Sequence, residues 1–460
     1  MSVMHTWSLT PRRRSAVVSA VRALAALGAV WSCSSLLDVK NPNNVNVSDL
    51  DNPAAAPSIA NGAFSAVAYA YGAIMTEYAT VTDELTWIGS RDGFRELDVG
   101  TLTNPTNEFT DAAFPYVGRA RWMADFAIKQ LAKFDTAKTL KDRNDLARSY
   151  LYGAIIYAAI ADAFNNFPIG SDMRTAAPPV GKDKMDSLYT VAIAYATDGL
   201  AKTDSTNLDL LTALLAVRAR AQHAKAVWKM LHPPGPGVPY GGALVNDSDA
   251  NADATTAIRL QGTDWRWRFY YSTTTVDNYI GAWVNGRQEM RIGDRYIKTS
   301  PADTLHDLIN PFPVDPEMRR AAVEFKGNSA TQSYGPLTAL STRELHLILA
   351  EAALATADTA GVASGFATHL NVRRVRDGLP PYDPSAPAHP RTLAMLQYER
   401  QVNLFLQNRR LQDLYRFGIR ADVWQTSPPT QAVSAAGTTF PITQVELLAN
   451  PYCAANPSSC

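Results

Sequence analysis

Excess charge, thiols and catalytic signatures are all scarce in this sequence. Basic and acidic residues number 43 each. No net positive field exists to draw in a polyanion, so bulk electrostatics gives no support for nucleic-acid binding. There are three cysteines. Neither Cys453 nor Cys460 has a local histidine or acid to activate it, which argues against a cysteine nucleophile. The seven histidines form no HExxH or related metal spacing. The G-x-S-x-G elbow, the Walker loop and the dinucleotide glycine pattern are absent. Asp247, Asp249, Asn251 and Asp253 alternate as in a calcium loop. However, Ala252 stands where such a turn needs glycine, and Ile258 where it needs a bidentate Glu. That segment reads as a surface turn leading into a short helix, with no metal. Asp83 and Glu84 are both carboxylates, but a glycosidase pair is defined by separation in space, which adjacency does not supply. The expectation is that the protein is not an enzyme and carries no cofactor.

What is present describes a folded, exported chain. Apolar residues make up 46% and charged residues 19%, the balance of a globular protein. Arg12, Arg13 and Arg14 precede the short apolar stretch "ALAALGAVWSC", Ala23 to Cys33. That is a secretory leader pattern, too short to be a spanning helix. Val30, Ser32 and Cys33 resemble a lipobox, with Trp31 departing from it. Residues 1–32 are therefore read as a removed lipoprotein signal, Cys33 as the lipid anchor, and 33–53 as a polar tether; a plain secretory signal is the alternative. Residues 54–460 form one domain, with a loop-rich insertion at about 233–340. Cys453 and Cys460 remain as an even pair, which in an exported protein suggests a disulfide; two free thiols are the alternative.

Helical periodicity dominates both ends of the domain. Ala63, Val67, Ala70, Ala73 and Ile74 mark one stripe. Further helices are expected at about 111–134, 142–164, 185–201 and 208–231. In the 142–164 segment Tyr150, Ala154, Tyr157, Ala161 and Phe164 recur at helical spacing. Ile155, Ile156 and Ile160 cover its other faces, so it should be buried nearly all round. "HPPGPGVPYGG" breaks the pattern at His232. Helices resume near Thr342 and run as three or four units to Phe417. Pairs recurring every 35–45 residues or so resemble tetratricopeptide-type stacking.

The run "QYERQVNLFLQNRRLQDLYRFG", Gln397 to Gly418, places four arginines among apolar residues. It reads as a helix loosened near Gln407 and Asn408. Arg409 and Asp413 are four apart, and Asp413 and Arg416 three apart, spacings that pair opposite charges on a helix. Glu399 can reach Asn403 or an arginine of a neighbouring helix. A DNA-gripping helix would show one open basic face instead. Structural pairing is the reading.

This run resembles the carboxy-terminal block of the SusD/RagB family. Glu399, Arg400, Leu404, Arg410, Asp413, Leu414, Arg416 and Gly418 fall on the family's frame. Asn403 and Gln407 stand where Glu is frequent there, and Phe417 where Trp is. "STRELHLILAEAAL" resembles another family helix through Glu344, Leu347, Ala350, Glu351 and Ala352, with Arg343 for a small residue. "LNVRRVRDGLP" resembles a family turn through Leu370, Asn371, Arg374, Arg376, Gly378, Leu379 and Pro380, with Arg373 and Asp377 departing. "FPITQVELLANP" is similar to the closing block, with Thr443 for a proline. "LLDVKNPNNV" after the anchor, and the helix ending "DAFNNFPIG", also fit. The resemblance implies an all-α fold of tetratricopeptide-like helix pairs with a loop-rich, irregular ligand-binding side. It implies a surface lipoprotein of the outer membrane that binds glycan over a TonB-dependent, SusC-like transporter barrel. Oligopeptide binding by the same architecture, or a scaffold without ligand, are the alternatives.

A sugar ring offers an apolar C–H face to flat aromatics and a hydroxyl rim to polar side chains. Two segments combine such residues in loops. One, "TDELTWIGSRDGFRELD", carries Asp83, Trp87, Arg91 and Asp92. The other, "TDWRWRFYYSTTTVDNYIGAWVNGRQ", carries Trp265, Trp267, Tyr270, Tyr271, Asn278, Tyr279 and Trp283. Asp83, Trp87, Arg91, Trp265, Trp267, Tyr270, Tyr279 and Trp283 are the expected ligand contacts.

Overall fold

The computed structural model describes residues 47–170, 176–233, 243–297, 305–310, 314–326, 333–357 and 365–460. The leader, Cys33 and most of the tether lie outside them. Contacts divide the chain after Asn52, and Pro53–Cys460 forms one compact unit.

Seven helices occupy the first half of that unit among the described residues: α1 (Ala56–Val81), α2 (Asp92–Asp98), α3 (Glu108–Thr136), α4 (Arg143–Ala163), α5 (Asp186–Lys202), α6 (Leu208–Leu231) and α7 (Ser248–Gln261). Short polar side chains start them. Asn107 accepts from the Phe109 and Thr110 amides, Asp142 from Asn144, and Asn207 from Leu210. Each such cap satisfies an otherwise orphaned N–H and contributes about 1 kcal/mol. Helix α4 is buried on nearly every face, from Asp145 to Ala163. It is the axis of this half, with α3, α5 and α1 packed against it. The α4–α5 contact is close because Gly153 has no side chain: a Cβ there would lie 2.7 Å from Tyr195 Cδ2. Packing continues from α5 to α6 and from α6 to α7, so consecutive helices stack in tetratricopeptide-like pairs.

The carboxy-terminal helices are α9 (Thr342–Ala355), α10 (Phe366–Arg376), α11 (Thr392–Asn403) and α12 (Arg410–Arg416), following α8 (Pro316–Lys326). Ser341 begins α9 by accepting from the Glu344 amide at 3.2 Å, one half of a capping box. Between α11 and α12 the chain leaves the helix. Leu406 and Asn408 take φ of 53° and 62°. The expected loosening is thus a complete break. Tertiary partners sustain it: the Leu406 amide donates to Glu84 Oε1 at 2.6 Å, and Arg220 donates to the Gln407 carbonyl.

The described residues between 243 and 340 include regular structure. Besides α7 and α8 they contain β2 (Arg266–Phe269), β3 (Met290–Ile292) and most of β4 (Leu337–Ser341). Strand β3 pairs antiparallel with β1 (Leu85–Trp87), setting Trp87 opposite Met290. Strands β2 and β4 pair antiparallel with a register shift at Trp267/Arg268. Strands this short leave no readable alternation, and their partners are remote in sequence.

Buried ion pairs join the helices. Arg416 is paired with Glu351 and, at 2.8 Å, with Asp413. Arg400 reaches Asp413 at 2.8 Å. Glu399 accepts from Arg373, Arg374 and Asn403. Arg409 does not pair with Asp413, contrary to the helical-spacing expectation. It sits at the helix break and turns to Asp162 at 2.9 Å and Glu344 at 3.2 Å. Burial opposes charge on Glu351, yet Arg416 and His223 beside it hold its carboxyl well below the usual carboxylate range. These arginines are spent inside the fold and form no open basic face.

Candidate ligand-binding site

Four half-buried rings line up across three elements. Tyr69 comes from α1 and Tyr116 from α3, with ring centroids 4.8 Å apart. Tyr279 lies 5.8 Å from Tyr69, edge to face. Trp283 follows at 6.4 Å from Tyr279. The last two ride on a helical turn, Tyr279–Gly281, that widens into a π-helical turn, Ala282–Gly286. Such wide turns recur at functional sites. Asn278 fixes the start of the turn by accepting from the Gly281 amide and donating to the Gly335 carbonyl. Beneath Trp283, Phe94 and Phe109 stack on each other at 3.5 Å and meet the indole at 5.2 and 5.0 Å. The Arg287 guanidinium lies over the indole at 4.1 Å, a cation–π contact. These rings form an apolar ledge with phenol hydroxyls and a guanidinium at its margin.

The ledge is electrostatically unusual underneath. Glu77, on α1, is buried, and its Oε1 has no hydrogen-bond partner among the described residues. Burial pushes its carboxyl well above the usual range. Burial, then the charge of Glu77, raises the Tyr279 phenol. Burial and the neighbouring Tyr116 push Tyr69 up to about 12. The Tyr69 and Tyr279 phenols therefore keep their protons near pH 7 and can donate as well as accept hydrogen bonds.

A second segment is bound to the first by Glu289. Its carbonyl accepts from the Ile88 and Gly89 amides, both at 3.0 Å. Its carboxylate accepts from Ser90 N (2.8 Å), Ser90 Oγ (3.1 Å) and Arg91 N (3.0 Å). Burial works against this charge, but those donors outweigh it and hold Glu289 below its ordinary value. The Glu289 amide in turn donates to the Trp283 carbonyl at 3.1 Å. Gly89 permits the close approach, since a Cβ there would lie 2.0 Å from Glu289 Oε2.

The expected contacts therefore separate into groups. Trp87, Arg91, Tyr279 and Trp283 are drawn to one region by the β1–β3 pairing and Glu289. Trp87 is half-buried, with Arg95 6.0 Å from its ring and its Nε1 without a partner among the described residues. The Arg91 side chain is exposed. Asp83 is removed from this group: both its oxygens accept from Arg410 in the core. Trp267 is half-buried and packs against Phe64, Tyr152 and Phe269, away from the ledge rings. Trp265 donates to Asp209 at the start of α6. Tyr270 is 65% exposed and makes no ring contact among the described residues. Tyr271 is buried, donating to the Ala68 carbonyl at 2.9 Å. Tyr69, Tyr116, Arg287 and Glu289, none of them among the expected contacts, stand in the same region. The two tyrosines lie on helices, where an aromatic reads as core, and no periodicity separates a ledge ring from a packed one. In the calcium-like segment, Asp247 caps α7 and Asp253 pairs with Arg218 at 2.7 Å. Cys453 and Cys460 are disulfide-bonded, Cα–Cα 5.6 Å.

No family model matches the sequence, and no curated protein sequence does either. Solved structures do match in shape. A SusD superfamily protein from Parabacteroides distasonis superposes with a TM-score of 0.60 at 13% identity, covering 89% of this chain and 98% of that one. A SusD-like carbohydrate binding protein from Bacteroides vulgatus gives 0.58 at 13% identity, with 87% and 97% covered. The fold is SusD-like. A laminarin binding SusD-like protein also aligns, TM-score 0.50 at 14% identity, over 85% of this chain and 98% of that one. The superposed SusD-like chains are matched over nearly their whole length.

Proposed function

We propose that this protein is a glycan-binding surface lipoprotein of the outer membrane that delivers oligosaccharide to a TonB-dependent, SusC-like transporter. The observation that carries this reading is the aromatic ledge of Tyr69, Tyr116, Tyr279 and Trp283 on a SusD-like fold. Pyranose C–H faces stack on such rings, each contact contributing on the order of 1 kcal/mol by analogy with aromatic pairs. Arg287 and Arg91 stand where they can donate to hydroxyls at the margin. Two structures of the same fold are described as binding carbohydrate, one of them laminarin. No helix among the described residues is long and apolar enough to cross a membrane. In this reading attachment rests on lipid at Cys33, after removal of residues 1–32.

Isothermal calorimetry against soluble polysaccharides, laminarin among them, and against an oligopeptide panel tests the ligand class. Binding to at least one glycan is expected. Binding to peptides alone would transfer the reading to oligopeptide uptake. Binding to neither would leave a scaffold and remove the proposal. Purification from mildly solubilised native membranes tests the partner, which should co-purify as a large barrel protein.

A further inference from the structure

Away from the ledge, α9 and α10 bring two imidazoles together. His346 and His369 place their Nδ1 atoms 3.3 Å apart. His346 is 4% exposed, and its other nitrogen, Nε2, has no hydrogen-bond partner among the described residues. Both rings line a cavity of about 430 Å³ together with Asn251 and Thr255 of α7. Asn251 Oδ1 lacks a donor as well, while its Nδ2 is spent on Asn246 at 2.8 Å.

A simple hydrogen bond accounts poorly for this arrangement. One Nδ1 would have to donate and the other accept, at a separation long for such a bond. Whichever tautomer formed, His346 Nε2 would stay buried and unsatisfied, at a cost of about 1–3 kcal/mol. Chelation accounts for it better. Two imidazole nitrogens bound at about 2.0 Å to one ion lie about 2.8 Å apart at adjacent square-planar positions and about 3.3 Å apart in a tetrahedron, so this separation suits a site at the tetrahedral end of that range, into which copper(II) settles by a small approach of the two rings. Both Nδ1 atoms then supply lone pairs and His346 Nε2 carries its proton. A water in the cavity, accepting from that N–H and donating to Asn251 Oδ1, would satisfy both orphans.

We propose that His346 and His369 form a two-imidazole site for a borderline divalent cation, copper(II) binding tightest, that clamps α9 to α10. Imidazole donors favour copper, nickel and zinc over calcium or magnesium. Among the described residues no third His, Cys, Asp or Glu joins them. Water and Asn251 Oδ1 are the candidates for the remaining positions. Arg373 and Arg343 are the cations whose fields reach His346. Each is tied to carboxylates, Arg373 to Glu399 at 3.1 Å and Arg343 to Asp377 at 2.7 Å, so neither confronts the site as an isolated charge.

The test is titration of the untagged full chain with copper(II) chloride, followed by calorimetry and electron paramagnetic resonance. One copper per chain is expected, with hyperfine coupling to two nitrogens. Nickel and zinc should bind more weakly, in the order set by the metals themselves. His369→Asn should weaken copper binding at least about tenfold, the scale on which metal sites respond to lost support. His389→Ala, on a separate loop, should leave it unchanged. Coupling to no nitrogen or to one in the unaltered chain would overturn the proposal. So would copper affinity that survives His369→Asn or disappears with His389→Ala.

Discussion

Arg410 donates hydrogen bonds of 2.6 and 2.7 Å to the two carboxylate oxygens of Asp83, joining residues 327 positions apart. Both side chains are buried, 5% exposed each. Removing one partner strands a charge in the interior. Asp83→Ala and Arg410→Ala should each cost roughly 3–5 kcal/mol in urea denaturation. The double variant should cost clearly less than the sum, because neither charge is left alone. Additive costs would mean that the pair does not couple the segments.

Glu84 adds a pH dependence. Burial pushes its carboxyl from an ordinary 4.5 up to about 8, against the pull of the Leu406 amide and Arg410. An acid raised on folding holds its proton more tightly in the native state. Its effect is absent below about pH 4.5, grows destabilising as pH rises toward 8, and is constant above that. Glu84→Gln is neutral throughout and keeps an acceptor for Leu406. The stability of Glu84→Gln relative to the unaltered chain should therefore rise by roughly 2 kcal/mol or more between pH 5 and 8.5. Parallel melting curves across that range would contradict the assignment.

Aromatic substitutions should divide by location. Tyr279→Ala, on the ledge, should weaken glycan binding about fivefold, one stacked ring's worth. Trp265→Ala, whose indole N–H is held by Asp209, should leave affinity unchanged. Trp267→Ala, which removes a half-buried ring packed on Phe64, Tyr152 and Phe269, should instead cost about 1–3 kcal/mol of stability. Calorimetry and denaturation on the same three proteins separate these effects.

Glu289 should act on the Ser90–Arg91 turn. Glu289→Ala removes the acceptor for three hydrogen bonds. Hydrogen exchange at the Ser90 and Arg91 amides should accelerate markedly, while the amides of α4 keep their protection. Unaltered exchange at Ser90 and Arg91 would show that the strand pairing alone holds the turn.

Sequence by itself determined the long helices at both ends of the chain, but not the short ones at Asp92–Asp98 and Pro316–Lys326. The 208–231 helix was legible because its periodicity stops at the Pro/Gly-rich run after His232, and the structure adds the Asn207 cap at its start. The burial of α4 was legible because its apolar residues leave no polar face. Mixed-sign charge in the Gln397–Gly418 run announced internal pairing. Which carboxylate meets which arginine was decided by tertiary structure. Arg409 turns to Asp162 because the chain breaks at Leu406 and Asn408, and Glu84 and Arg220, from remote segments, help make that break favourable. The ledge was divided in the same way. Tyr279 and Trp283 stood in an aromatic-rich loop and were visible, whereas Tyr69 and Tyr116 are ordinary helix residues until folding sets their rings side by side. A ring's chemistry is local, but whether its face meets protein or solvent depends on elements the local sequence does not contain.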